Sequence, residues 1–315
     1  MLMAGCGNPA QPANTLRVGV LKFGTVSWEM AIAQAHHLAA AQGVRLQVVP
    51  FASKNALGVA MHGGRVDTVV SDWLWAARQD AKGADYQFFP YSLAVGAVMI
   101  DPHSGIKTVA DLAGRRIGVA GGALDKTWLL LRAYAQRSAG ISLGEKAHPV
   151  YASPPILAKL LLRGDLPAAI NYWQYNARAK AAGMEPLVSV KTMLAGLGVH
   201  PVPPLLGWVF SAKWASTHGH LLRSFFKASY QAKAILRDSN QAWQSIRSLV
   251  KPGNDTVFAM IQDQYRAGIP THYGKPEIAA AHRLFHILAQ QGGRELTGGM
   301  KHLPEHLFWR GMPLP

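Results

Sequence analysis

Short apolar strands alternate with helical segments in two successive cycles before residue 190. Such a pattern builds a mainly parallel sheet with helices on its faces. The first cycle opens with the strand pattern Leu16-Arg17-Val18-Gly19-Val20. Ser27 to Gln42 then carries apolar residues at helical spacing and stops at Gly43. Leu46–Pro50, Lys54–His62, Val66–Val70 and Leu74–Gln79 read as strand, helix, strand and helix. The second cycle follows Asp101-Pro102. It has a short helix at Val109–Ala113, strands at Arg116–Ala120, Pro149–Tyr151 and Ala168–Tyr172, and helices at Asp125–Ala139 and Pro155–Arg163. Leu187–Val190 closes it. Beyond Trp208 one strand returns at Val209-Phe210-Ser211, and the rest reads as helices over 220–237, 240–250, 255–266 and 276–291.

At 315 residues the chain is long enough for two domains, and 49% hydrophobic with 16% charged residues excludes intrinsic disorder. The uncharged stretch from Thr192 to Ala212 carries Pro201, Pro203 and Pro204, so it reads as a buried connection and not as a membrane span. The formal charge of +15 is dispersed, and Arg115-Arg116 is its one adjacent basic pair. Dispersed charge serves general solvation, so nucleic acid is not an expected partner. The single cysteine, Cys6, excludes an intrachain disulfide, a cysteine-based zinc site and an iron–sulfur cluster. His282/His286 and His302/His306 share the i, i+4 spacing of metal ligands, but no third ligand accompanies either pair, so they read as surface or core residues.

Catalytic signatures are missing: there is no Gly-x-Ser-x-Gly elbow, no phosphate-binding Walker loop and no dinucleotide glycine motif. Gly121-Gly122 lies between a strand and a helix, where backbone N–H groups can meet an anion or simply turn the chain. Aromatic residues carry a stronger signal. Trp28, Trp73, Trp128 and the pair Tyr172-Trp173 follow strand ends or the Gly121 turn. Ligands of open α/β sheets bind beyond the carboxyl ends of strands, so these rings are expected to face one cleft.

Three segments together resemble a known family. They are Leu16-Arg17-Val18-Gly19, Gly64-Arg65-Val66-Asp67 before Ser71-Asp72, and the run Gly105-Ile106-Lys107-Thr108-Val109-Ala110-Asp111-Leu112-Ala113-Gly114-Arg115-Arg116-Ile117-Gly118. Arg163-Gly164-Asp165 before Ala168-Ala169-Ile170 adds a fourth. The resemblance is to substrate-binding proteins of ABC importers, in the branch serving nitrate, sulfonates, taurine and thiamine pyrimidine precursors. It implies an α/β, type 2 periplasmic-binding-protein fold: two lobes joined by a double crossover near Leu93–Ile100 and Leu205–Phe210, closing over a ligand. The implied division is 16–97 with 206–315 as lobe 1, including a helical C-terminal extension, and 98–205 as lobe 2.

The family's ligand contacts carry over to Phe23, Gly24, Thr25 and Trp28 after the first strand, and to Ser71, Asp72 and Trp73. They carry over further to Tyr91 and Ser92, to Gly122, Ala123, Leu124, Asp125, Lys126 and Thr127, and to Asn171, Tyr172 and Trp173. These loops hold Lys22 and Lys126 but no arginine, and they also hold Asp72 and Asp125. A bare anion would meet poor charge balance there. Rings with a carboxylate suit a planar nitrogen heterocycle, through stacking and charge-assisted hydrogen bonds. A sulfonate or nitrate binder is the alternative. A pyrimidine-synthesising enzyme on the same fold is a further one, but those relatives carry a cysteine-rich motif that this chain lacks. The resemblance implies no enzyme activity, no cofactor and no metal. It implies a monomer in the periplasm with permease and ATPase partners.

Met3-Ala4-Gly5-Cys6 resembles the end of a bacterial lipoprotein signal, with residues 1–15 as a tether that includes the Gly/Pro/Asn-rich Gly7–Asn14. Five residues cannot hold the charged and apolar regions that export requires. Either the start lies upstream or the match is chance; the expectation is lipidation at Cys6, with lipid as the only membrane attachment.

Overall fold

The computed structural model describes residues 14–22 and 24–315, so Cys6, the tether before Asn14 and Phe23 lie outside the described residues. Among the described residues the strands are β1 (Thr15–Leu21), β2 (Arg45–Phe51), β3 (Thr68–Asp72), β4 (Tyr86–Ser92) and β5 (Ala97–Ile100). Then come β6 (Arg116–Val119), β7 (His148–Tyr151), β8 (Ala168–Ile170), β9 (Glu185–Ser189) and β10 (Leu206–Ser211). The helices are α1 (Val26–Ala35), α2 (Leu38–Ala41), α3 (Lys54–His62), α4 (Trp73–Asp80), α5 (Lys126–Ala139), α6 (Leu143–Lys146) and α7 (Pro154–Leu162). They continue as α8 (Trp173–Ala181), α9 (Val190–Gly196), α10 (Ala212–Asp238), α11 (Asn240–Ser245), α12 (Arg247–Val250), α13 (Asp255–Ala267) and α14 (Lys275–Thr297).

The strands form two five-stranded sheets, in the orders β2-β1-β3-β10-β4 and β7-β6-β8-β5-β9. In the first, β1 is parallel to both β2 and β3. In the second, β6 is parallel to β7 and β8, while β5 runs antiparallel to β8 and β9. The chain passes from the first sheet to the second through residues 93–96 and returns between β9 and β10.

One packing device recurs. A Cβ on Gly19 of β1 would stand 2.6 Å from Leu57 of α3, and a Cβ on Gly118 of β6 would stand 2.9 Å from Leu157 of α7. In each sheet a bare glycine in the middle of a strand lets a crossover helix settle directly on the backbone. The helix α3 shows the local logic: the Ser53 side chain accepts from the Ala56 N–H, Leu57, Ala60 and Met61 form the buried face, and Gly63-Gly64 ends it.

Several elements depart from the sequence reading. The expected helix 27–42 divides because His37 adopts a left-handed φ of 53°, giving α1 and α2. The third strand starts at Thr68, later than Val66. The strands β4 and β5 and the helix α9 had no counterpart among the expected elements. The long C-terminal helices are interrupted by non-helical backbone at His218 in α10 and Gly293 in α14.

Packing groups the chain into two compact units and shares the C-terminal helices between them. One compact unit comprises residues through Val69 with Phe210–Ile246 and Pro315; the other comprises Val70–Val209 with Arg247–Leu314. The reason lies in the helical tail. The helix α10 packs on α1 and α2, whereas α13 packs on α8 and α14 packs on α5. The last third of the chain therefore contributes to both units. Among the described residues no helix is long and apolar enough to cross a membrane.

Candidate functional site

In the first unit the loop after β1 is tightly turned. The Gly24 N–H donates to the Leu21 carbonyl at 3.0 Å, and the Ser27 hydroxyl donates to the Gly24 carbonyl at 2.6 Å. Thr25 stands at the head of α1 without capping it through its side chain. Trp28 does not face solvent: it is 4% exposed and meets Trp243 edge-on, ring centroids 6.0 Å apart.

In the second unit, β3 ends at Ser71-Asp72, and Asp72 does two things. Its Oδ1 caps α4 by accepting from the Trp75 N–H at 2.8 Å, and its Oδ2 accepts from the Lys126 ammonium at 2.8 Å. Lys126 is the first residue of α5, which Asp125 caps by accepting from the N–H groups of Thr127 at 2.9 Å and Trp128 at 3.1 Å. Gly121 makes room for that carboxylate, since a Cβ there would sit 2.2 Å from Asp125 Oδ2; Gly122 supplies the positive φ of the turn. The loop Gly122-Ala123-Leu124 stands at least partly open to solvent.

Lys126 is thus held between carboxylates. Burial pushes its pKa down, but the neighbouring Asp72, then Asp125 and Tyr172, outweigh that effect and raise it above its ordinary 10.5. The ammonium stays charged through the physiological range. Its pairing contributes stability below pH 10.5 and loses it only as pH climbs through the raised value.

The other expected contacts fall into distinct roles. Trp73 and Trp128 are buried at 0% and 2% exposure, so in this conformation neither presents a ring face outward. Tyr91 is buried edge-on to Trp208, and Ser92 accepts from the Ala94 N–H and donates to the Gly268 carbonyl, shaping the crossover. Asn171 fixes the turn after β8: its Nδ2 donates to the Pro154 carbonyl and its Oδ1 accepts from the Tyr172 N–H. Tyr172 is half-buried at the head of α8, and Trp173 opens that helix. The structure therefore brings together Asp72, Asp125, Lys126 and Tyr172 in the second unit, and assigns Trp28, Trp73 and Trp128 to packing. The sequence reading named Asp72 and Lys126 separately; 54 residues apart, nothing local signals that they pair.

The histidines group in a way their spacing alone did not show. On α14, His282 is depressed below its ordinary 6.5, chiefly by burial and then by His286 and His302, while Glu305 opposes this. The His286 and His302 rings lie 5.3 Å apart. Among the described residues no three such side chains are placed to hold a metal ion. A histidine so depressed takes up its proton less readily in the fold than in the unfolded chain, so stability is lost as pH falls below the unfolded value. Melting temperature is expected to drop between pH 7 and 5, and His282→Gln to flatten that slope. An unchanged slope in the variant would refute the assignment.

No family model matches the chain, and no curated protein matches it by sequence. Solved structures do match in fold. The periplasmic aliphatic sulphonate binding protein SsuA from Escherichia coli superposes with a TM-score of 0.76 at 20% identity, covering 96% of this chain and 94% of that one. The alkanesulfonate-binding protein SsuA from Xanthomonas axonopodis pv. citri, bound to MOPS, gives 0.71 at 19% identity over 95% and 99%. The desulfurization enzyme DSZB gives 0.62 at 16% identity over 93% and 97%. The fold is that of the periplasmic binding proteins.

Proposed function

We propose that this chain is the solute-binding component of an ABC importer and captures a small organic ligand, a planar nitrogen-containing molecule, at the strand-end loops around Asp72 and Lys126. The observation that carries this reading is the charge of the set: two carboxylates, Asp72 and Asp125, surround one ammonium, and both carboxylates also cap helices. The helix N-termini that would otherwise attract an anion are thus already served. A neutral or cationic heterocycle edge that both donates and accepts matches a carboxylate beside an ammonium, and the half-buried Tyr172 adds an aromatic side chain close to Lys126. The partners on this reading are a permease and its ATPase, the protein acts as a monomer in the periplasm, and Cys6 carries the lipid.

A second reading, an anion binder, draws on the names of the two sulphonate-binding structures and on α8, whose first turn has no side-chain cap. The SsuA-like fold is shared with an enzyme as well, so fold alone does not choose. Calorimetric titration with an aminopyrimidine, ethanesulfonate and nitrate separates the readings. The aminopyrimidine is expected to bind, and Asp72→Asn, which keeps the helix cap but not the charge, to weaken it at least tenfold. At 100 times its Kd such a ligand adds about 2.7 kcal/mol of stability. Tight ethanesulfonate or nitrate binding, indifferent to Asp72→Asn, would replace this reading with the second.

A further inference from the structure

A cavity of about 490 Å³ opens in the second unit, well within the size range of small-molecule sites. It is built from five separated stretches: the crossover and β5 from Leu93 to Met99, the helix α8, β9 running into the start of α9, Pro201-Val202, and the end of α13 running into the start of α14. Its walls are mostly apolar, with Val95 and the buried Met99 and Trp173 among them. Its rim is not. Lys180 of α8 and Lys191 of α9 both line it, both are exposed, and neither takes part in an ion pair among the described residues. The one carboxylate on the lining, Glu277, is engaged: its Oε2 accepts from the Gly274 N–H at 2.8 Å. His272 adds a third basic group, its Nδ1 held 2.9 Å from the Thr271 hydroxyl.

We propose that this cavity is a second ligand site, which takes a small organic anion with an apolar body. The apolar body displaces water from the walls, where burial is worth roughly 25 cal/mol per Å². The acidic group then meets two ammonium groups at the mouth, each on a flexible stem that can fold over it. The charge pattern is opposite to that around Asp72, where carboxylates outnumber the ammonium. The two sites therefore select different chemistries on one chain, and Trp173 alone belongs to both sets of residues. The inference stands without the importer reading.

The probe is 8-anilinonaphthalene-1-sulfonate, whose fluorescence reports an apolar anion site, with octanoate as the competitor. The folded wild type is expected to bind the probe saturably and to release it to octanoate. The double variant Lys180→Glu/Lys191→Glu reverses the rim charge at exposed positions and is expected to weaken binding at least tenfold. Ala267→Trp, which narrows the mouth from the exposed end of α13, is expected to do the same with its melting curve unchanged. Asp72→Asn is expected to leave probe binding as it is. Wild-type affinity in the double variant and in Ala267→Trp, loss of binding on Asp72→Asn, or no saturable binding to the wild type would each overturn the proposal.

Discussion

Replacing Glu29 with alanine is expected to destabilise the first unit by about 3–5 kcal/mol, because it strands a buried charge. Glu29 on α1 is 0% exposed, and it accepts from two side chains on one face of α10: the Ser229 hydroxyl at 2.5 Å and the Lys233 ammonium. Lys233 is itself 2% exposed, and burial depresses its pKa while Glu29 pulls it back up. Without the carboxylate, desolvation is left as the dominant influence on Lys233. The unfolded chain then binds the proton more tightly than the fold does, so the variant's stability should rise as pH increases toward 10.5. The double variant Glu29→Leu/Lys233→Met removes both charges, and by the behaviour of other buried pairs it should be neutral to stabilising. Urea unfolding followed by circular dichroism checks all three statements. If Glu29→Ala unfolds at the wild-type midpoint, the pair carries no such burden.

The contrast between what was readable in the chain and what was not follows the range of the interactions. The strand β1, the helix α3 and the strand β6 were legible because their signals are local: short apolar runs, and a Gly63-Gly64 stop after α3. The strand β4 was obscured by Pro90 inside Tyr86–Ser92, and β5, at Ala97–Ile100, because it falls within the stretch read as the crossover. The break at His37 has no local cause, since helix formers flank it on both sides. Glu29 and Lys233 are 204 residues apart and look like ordinary charges on amphipathic helices. The cavity beside α8 draws on five separated segments, none of which carries a motif. Position along a strand end was readable for the tryptophans; the direction of their side chains was not, because packing and not spacing decides it.

Trp28 makes that last distinction measurable. As a ligand contact it would cost affinity when truncated and leave the fold intact. As a core residue it should do the reverse, and its burial against Trp243 favours the core: the two rings meet at 71°, and the Trp243 indole N–H donates to the Leu236 carbonyl at 2.6 Å, so the partner ring is anchored. Trp28→Ala leaves a cavity beside a fixed wall that cannot collapse into it. Removing a buried tryptophan in such a setting costs about 3–5 kcal/mol, and the lost edge-on ring pair is about 0.5–1.5 kcal/mol of this kind of energy. Trp28→Phe keeps an aromatic ring against Trp243 and should cost less than half as much. Thermal melts of both variants, beside titrations with the aminopyrimidine, give the answer. A stable Trp28→Ala protein that no longer binds ligand would move Trp28 from the core to the site.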